Sequence, residues 1–114
     1  MPEISTIDSY HAHVYFDDPA SRQVAETLRD GVAERFAIYV GRLIDRPIGP
    51  HPTPMFELGF EPADFAAVVP WLMLNRNGLS ILIHPNTGDA RRDHLENSIW
   101  LGNKLELIVD PYLL

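Results

Sequence analysis

The segment YHAHVYF, residues 10–16, alternates strictly. Successive side chains of an extended chain point to opposite sides, so Tyr10, Ala12, Val14 and Phe16 share one face. His11, His13 and Tyr15 share the other. A strand of this kind belongs in a sheet that is packed under helices on its apolar face. Its second face is left to imidazoles.

The remaining sequence supplies the helices and further strands. Asp18 and Pro19 have the character of an N-cap and first helical position. Val24, Leu28, Val32 and Phe36 then recur every four residues, as on one helix face. Residues 37–44 are apolar and β-prone and predict a second strand. Residues 46–54, RPIGPHPTP, hold four prolines and a glycine and predict a stiff loop. Residues 55–60 predict a third strand. Pro62 opens a second helix carrying Phe65, Val68, Val69, Leu72 and Met73, and Asn77-Gly78 ends it. Residues 79–84 predict a fourth strand, 85–89 a turn, 90–101 a third helix and 105–109 a last edge strand.

The order β-α-β-β-α-β predicts an α+β, ferredoxin-like fold: a four-stranded antiparallel sheet plus a C-terminal helix. Residues 1–114 are expected to form a single domain. Two helices cover one sheet face; the third helix, the tail or another subunit covers the other. The first and third strands are expected side by side in the middle, running parallel, with the second and fourth flanking them in the opposite direction. An open sheet face and the apolar tail LELIVDPYLL point to a homodimer.

Composition narrows the chemistry. The 114 residues are 46% hydrophobic, enough for a core, and contain no cysteine. Disulfides, thiolate metal sites and cysteine nucleophiles are therefore excluded, and any metal must be held by nitrogen and oxygen. The net charge of -7, without a basic stripe, argues against a nucleic-acid partner. The start, MPEISTIDSY, is unlike a signal peptide. No apolar run approaches the ~20 residues that cross a bilayer. A cytoplasmic protein with no membrane partner is expected.

Four of the five histidines fall in three segments: His11 and His13 in YHAHVYF, His51 in GPHPTPMFEL, and His84 in ILIHPNTGD. In the expected topology these positions map to one edge of the sheet. On the third strand Phe56, Leu58 and Phe60 form the apolar set, so Glu57 turns to the histidine face. Neutral imidazole is both the commonest metal ligand and the commonest acid–base group. His11, His13, His51, His84 and Glu57 are thus candidate metal ligands. Two histidines and a carboxylate suit non-heme iron, and three histidines and a water suit zinc. Glu57 has the alternative of pairing with Arg42 or Lys104. His94, at a helical position, is either a solvated residue or an acid–base group. Arg91 and Arg92 could meet a substrate carboxylate or lie on the helix surface. Trp100 and Leu101 are expected to pack the core.

The segments YHAHVYF, GPHPTPMFELGF and ILIHPNTGDARRDH, followed by WLG, together resemble the DOPA 4,5-dioxygenase family over about residues 9–102. The matching positions are His11, His13, His51, His84 and His94. The resemblance implies a ferredoxin-like fold, and extradiol opening of a catechol ring with Fe(II) and dioxygen. Zn(II) or another divalent ion is the alternative in a purified sample. It further implies that His84 or His94 takes the catechol proton. A non-enzymatic metal- or small-molecule-binding dimer on the same fold is the rival reading.

Overall fold

The computed structural model describes residues 3–114. It is α+β, with a five-stranded sheet and three α-helices. The elements are β1 (Ser9–Tyr15), α1 (Pro19–Arg35), β2 (Tyr39–Val40), β3 (Met55–Phe60), α2 (Phe65–Asn75), β4 (Ile81–Asn86), α3 (Ala90–Leu95) and β5 (Ile99–Leu101). A single 3-10 turn, Pro62–Asp64, leads into α2.

The sheet order is β2-β3-β1-β4-β5, and every pairing is antiparallel. The first and third strands are adjacent in the middle, as expected, but they run antiparallel, not parallel. The cause is the proline-rich loop. The α1 crossover returns the chain into β2 in the direction of β1, and residues 46–54 then reverse it into β3. A fifth strand, β5, extends the expected four. Residues 90–101 are not one helix. Ser98 returns its hydroxyl to the His94 carbonyl at 2.9 Å, α3 ends at Leu95, and the β-prone Ile99-Trp100 pairs with β4.

The other departures are local. β2 keeps only two of the eight expected residues, with an isolated bridge from Ile44 to Met55. Residues 105–109 alternate in burial as a strand would, but they form no ladder; Ile108 donates its N–H to the Pro50 carbonyl at 2.8 Å. β4 continues past His84 through Pro85. β5 pairs only as far as Ile83, so beyond it that side of β4 is an edge, where a proline's missing N–H costs nothing.

α1 starts as its sequence predicts. Asp18 accepts the Ser21 N–H at 2.7 Å, and Ser21 Oγ accepts the Asp18 N–H at 3.0 Å. Asn77 and Gly78 take the positive φ values that end α2. The main core lies between the sheet and the two long helices. Ala12, Val14, Phe16, Phe56, Leu58, Phe60, Ile81 and Ile83 meet Leu28 and Val32 of α1 and Val68, Val69 and Leu72 of α2. Met73, expected on that face, is half exposed.

The opposite face divides in two. Tyr15, Met55 and Leu82 are covered by the chain's own tail, through Leu107 and Leu113, with Trp100 and Leu105 packed alongside. The rest of that face carries the histidines. Among the described residues no helix is long and apolar enough to cross a membrane.

Candidate metal centre

Antiparallel register places the histidines on the middle of the face, not along one edge. His11 stands opposite Gly59 on β3 and His84 on β4; His13 stands opposite Glu57 and Leu82. His13 and His84 are therefore diagonal neighbours across β1 and β4. Their Nε2 atoms lie 3.1 Å apart. His51, between Pro50 and Pro52, reaches the same face from the stiff loop, its ring centroid 4.1 Å from that of His13. His94 descends from α3 onto His84, with ring centroids 4.0 Å apart. All five histidines converge. Two triads bring their ring nitrogens within 4.8 Å of one another: His11, His13 and His84, and His13, His51 and His94. His13 belongs to both.

Glu57 lies beside the first triad, with its Oε1 3.7 Å from His11 Nδ1 and 3.9 Å from His13 Nε2. It faces the histidines instead of Arg42 or Lys104. Arg91 donates to the Leu113 carbonyl, and Arg92 pairs with Glu96, the residue that caps the end of α3. Trp100 packs in the smaller cluster and Leu101 against the main one.

Burial keeps the central imidazoles uncharged. His13, His51 and His84 are at most 5% exposed. Desolvation is the main cause that lowers His51 and His84 to a pKa of about 4, with His94 nearby adding to it. His13 is also held well below the usual histidine range, first by burial and then by the other four histidines. At neutral pH three neutral rings face one another, the state in which imidazole coordinates metal.

Hydrogen bonds orient the rings. His84 Nδ1–H donates to the Pro85 carbonyl at 2.9 Å, and His94 Nδ1–H to the Ala90 carbonyl at 2.7 Å. Both therefore carry their lone pair on Nε2, as a metal-ligating histidine does when backbone holds its other nitrogen. His51 Nδ1 is 2.8 Å from the Tyr15 hydroxyl. Since His84 Nε2 bears a lone pair, His13 Nε2–H is the donor in their contact. His13 Nδ1 is then buried without any partner.

These features fit a metal ion. Two nitrogens bound to one ion at ordinary metal–imidazole distances stand about 2.9–3.4 Å apart, and the His13–His84 pair falls inside that range. The two rings are buried, and His84 Nδ1–H is held by backbone, so its Nε2 is left for an ion. The donor set is all nitrogen and carboxylate, as an iron or zinc site without cysteine requires.

Sequence reasoning singled out all five histidines and Glu57 but assigned nothing to Asp93 or Tyr15. Asp93 is buried. It accepts the Thr87 N–H at 2.8 Å, the Thr87 hydroxyl at 2.7 Å and the Asn97 amide at 3.3 Å. Burial alone raises its pKa, but these hydrogen bonds outweigh that and lower it. The clamp closes the turn between β4 and α3 and so holds His94 over His84. Tyr15 shares the histidine face in the alternation of β1, which was the available signal.

A cavity of about 420 Å³ opens beside His11, lined by Tyr39, Glu57, Gly59 and Glu61 among others. A Cβ at Gly59 would stand in ordinary van der Waals contact with His11 and Tyr39, at 3.5 Å. A second cavity, about 250 Å³, lies beyond His94 against Trp100 and Lys104.

The model of the Dopa 4,5-dioxygenase family matches residues 10–111. A putative dioxygenase from Nostoc punctiforme, solved as a crystal structure, superposes with a TM-score of 0.88 at 55% identity, covering 91% of this chain and 90% of that one. The DOPA 4,5-dioxygenase of Amanita muscaria is 36% identical over 111 residues, which are 90% of this chain and 49% of that protein. An uncharacterized 21.2 kDa protein of Botryotinia fuckeliana is 37% identical over 110 residues, 87% of this chain and 60% of its own. The chain thus spans about half the length of the curated relatives it matches. Family match, shared sequence and shared structure agree: the chain belongs to the Dopa 4,5-dioxygenase family.

Proposed function

We propose that this protein is an extradiol dioxygenase that opens a catechol-type ring with Fe(II) and dioxygen, on a ferredoxin-like arrangement extended by β5. The observation that carries the reading is the buried His13–His84 pair, whose Nε2 atoms lie 3.1 Å apart. Membership of the Dopa 4,5-dioxygenase family supports the reaction class.

His11, His13 and His84 would hold the ion, with Glu57 beside them. His51, a ligand candidate from sequence, falls with His94 in the second triad and would handle protons. Ferrous iron, when bound, brings catechol and dioxygen together and conducts electrons between them. The rest is the work of the chain's own groups. The cavity beside His11 admits a single substituted ring to the first triad. With His94 Nδ1–H held by the Ala90 carbonyl, its Nε2 would be the atom that accepts a proton from a catechol hydroxyl. The apolar tail and Trp100 exclude water from the Tyr15 side of the cluster.

The test is turnover. Protein loaded anaerobically with Fe(II), then given oxygen and a panel of catechols, should produce the yellow ring-opened semialdehyde. It should do so only with the ion present, and His13→Ala should abolish it. Saturable metal binding with no product from any catechol would overturn the reading in favour of a metal-binding protein that is not an enzyme.

A further inference from the structure

The cavity beside His11 is laid out by the register of three strands. Gly59 on β3 stands opposite His11 on β1 and opposite Tyr39 on β2. Opposed residues share a face, so a bare glycine lies between an imidazole and a phenol ring. Along the chain, Glu57 and Glu61 stand two residues before and after Gly59, about 7 Å each way. β3 ends at Phe60, but Glu61 keeps extended backbone, with φ -81° and ψ 160°, so the alternation carries through it. All five residues line the cavity of about 420 Å³, and Asp64 joins them from the turn before α2.

The charge of this cavity is one-sided. Among its described lining residues are three carboxylates, Glu57, Glu61 and Asp64, and neither lysine nor arginine. Glu61 and Asp64 stand at the starts of the 3-10 turn and of α2, yet neither side chain caps its helix. Among the described residues the arginine ion pairs go to other acids: Glu26, Asp30, Asp45 and Glu96. Uncompensated negative charge around a cavity favours a cation over an anion of the same shape. Tyr39, 60% exposed, adds an aromatic ring at the same cavity, and aromatic faces attract ammonium groups. The smaller cavity beyond His94 differs: it carries Lys104 beside Glu106.

We propose that the substrate is a catechol whose side arm carries an ammonium group and no carboxylate. Its ring lies over Gly59 between His11 and Tyr39, its diol towards Glu57 and the first triad, and its ammonium at Glu61 and Asp64. The choice of a catechol rests on the dioxygenase reading above; the selection of charge does not depend on turnover. Glu61 is about 7 Å along the strand from Gly59, within reach of a two-carbon amine arm. A carboxylate arm of similar length meets the same two acids and is repelled. An amino-acid arm bears both charges and falls between.

Three catechols of similar shape and different charge test this: dihydroxyphenyl-ethylamine, dihydroxyphenyl-propionate and the uncharged propylcatechol. At low salt and neutral pH the iron-loaded enzyme should take the amine with a kcat/KM about 10–100-fold above that of the propionate, through KM, with the uncharged ring between them. Salt at about 0.5 M should shrink the ratio, because charges at a solvent-facing cavity are screened. A variant carrying both Glu61→Gln and Asp64→Asn keeps side-chain size and removes no cap. Its ratio should fall below about threefold, with iron content unchanged. Zn(II)-loaded protein gives the same comparison as dissociation constants by calorimetry, without turnover. The proposal is overturned if amine and propionate are taken within twofold of each other, or if the double variant keeps the wild-type ratio. A preference for the propionate also overturns it, and sends the side arm to the Lys104 cavity instead. Should no catechol be turned over, the dioxygenase reading fails, and the calorimetric ratio alone decides the selection of charge.

Discussion

Mild acid should destabilise the metal-free protein in a window set by its buried histidines. His51 and His84 fall from 6.5 to about 4 in the folded chain. Below pH 6.5 their unfolded forms bind protons that the folded forms refuse, so stability drops as pH falls, and the loss levels off near pH 4. At pH 5 each group contributes a loss of about 2 kcal/mol. The two together take about 4 kcal/mol from a total stability of about 5–15 kcal/mol. His13 adds in the same direction. The carboxylates act elsewhere: Asp18, Asp45 and Asp93 are lowered below 3.8, so their stabilisation is present above that value and lost only below it. Urea unfolding in EDTA, followed by Trp71 and Trp100 fluorescence at pH 7.5, 6, 5 and 4, measures the window directly. A free energy constant to within about 1 kcal/mol between pH 7 and 5 would show that the histidines are not buried neutral. A loss confined to pH below 4 would assign the effect to the carboxylates instead.

Other perturbations separate the cluster from its scaffold. His84→Ala should abolish saturable binding of Fe(II) or Zn(II) in a calorimetric titration, and its metal-free form should lose less stability between pH 6.5 and 5 than wild type. Phe56→Ala empties a fully buried site under the helices and should cost about 3–5 kcal/mol, while the folded fraction keeps its metal stoichiometry. Asp93→Ala removes the acceptor for Thr87 and Asn97; it should cost about 1–3 kcal/mol and lower turnover by displacing His94, with metal content unchanged.

How much of this was legible follows from which interactions are local. The facing of β1 and β3 was readable because a period of two separates Ala12 and Val14 from His11 and His13, and Phe56 and Leu58 from Glu57. β4 offered no such contrast. Ile81 and Ile83 are buried under the helices and Leu82 under the tail, so both faces read as apolar and the placement of His84 rested on alternation alone. The antiparallel direction of β1 and β3 was already implied by the predicted order: a helical crossover sets β1 and β2 parallel, and a loop between the neighbouring strands β2 and β3 reverses the chain, so parallel central strands conflict with an antiparallel sheet. The same loop brings His51 to Tyr15 across 36 positions. The end of α3 was missed because its helical pattern runs on past Leu95, while β4 offers Ile99–Leu101 a ladder that propensity within the segment does not reveal.

A physical thread connects the departures from ordinary packing. Interiors pair their polar groups, and an unsatisfied buried one costs about 1–3 kcal/mol. Here the centre of the sheet holds His13 with Nδ1 unpartnered, two further neutral imidazoles, and the Glu57 carboxylate, whose ion-pair partners among the described residues are His11 and His13. None of this stabilises the metal-free chain, which carries the cost in the strength of its core and in its sensitivity to acid. A bound divalent ion converts the same arrangement into favourable contacts: the lone pairs of His84 and its neighbours gain an acceptor of electrons, and Glu57 gains a positive charge. Metal binding should therefore raise stability most at neutral pH and lose its effect as pH falls, because protons and the ion compete for the same nitrogens.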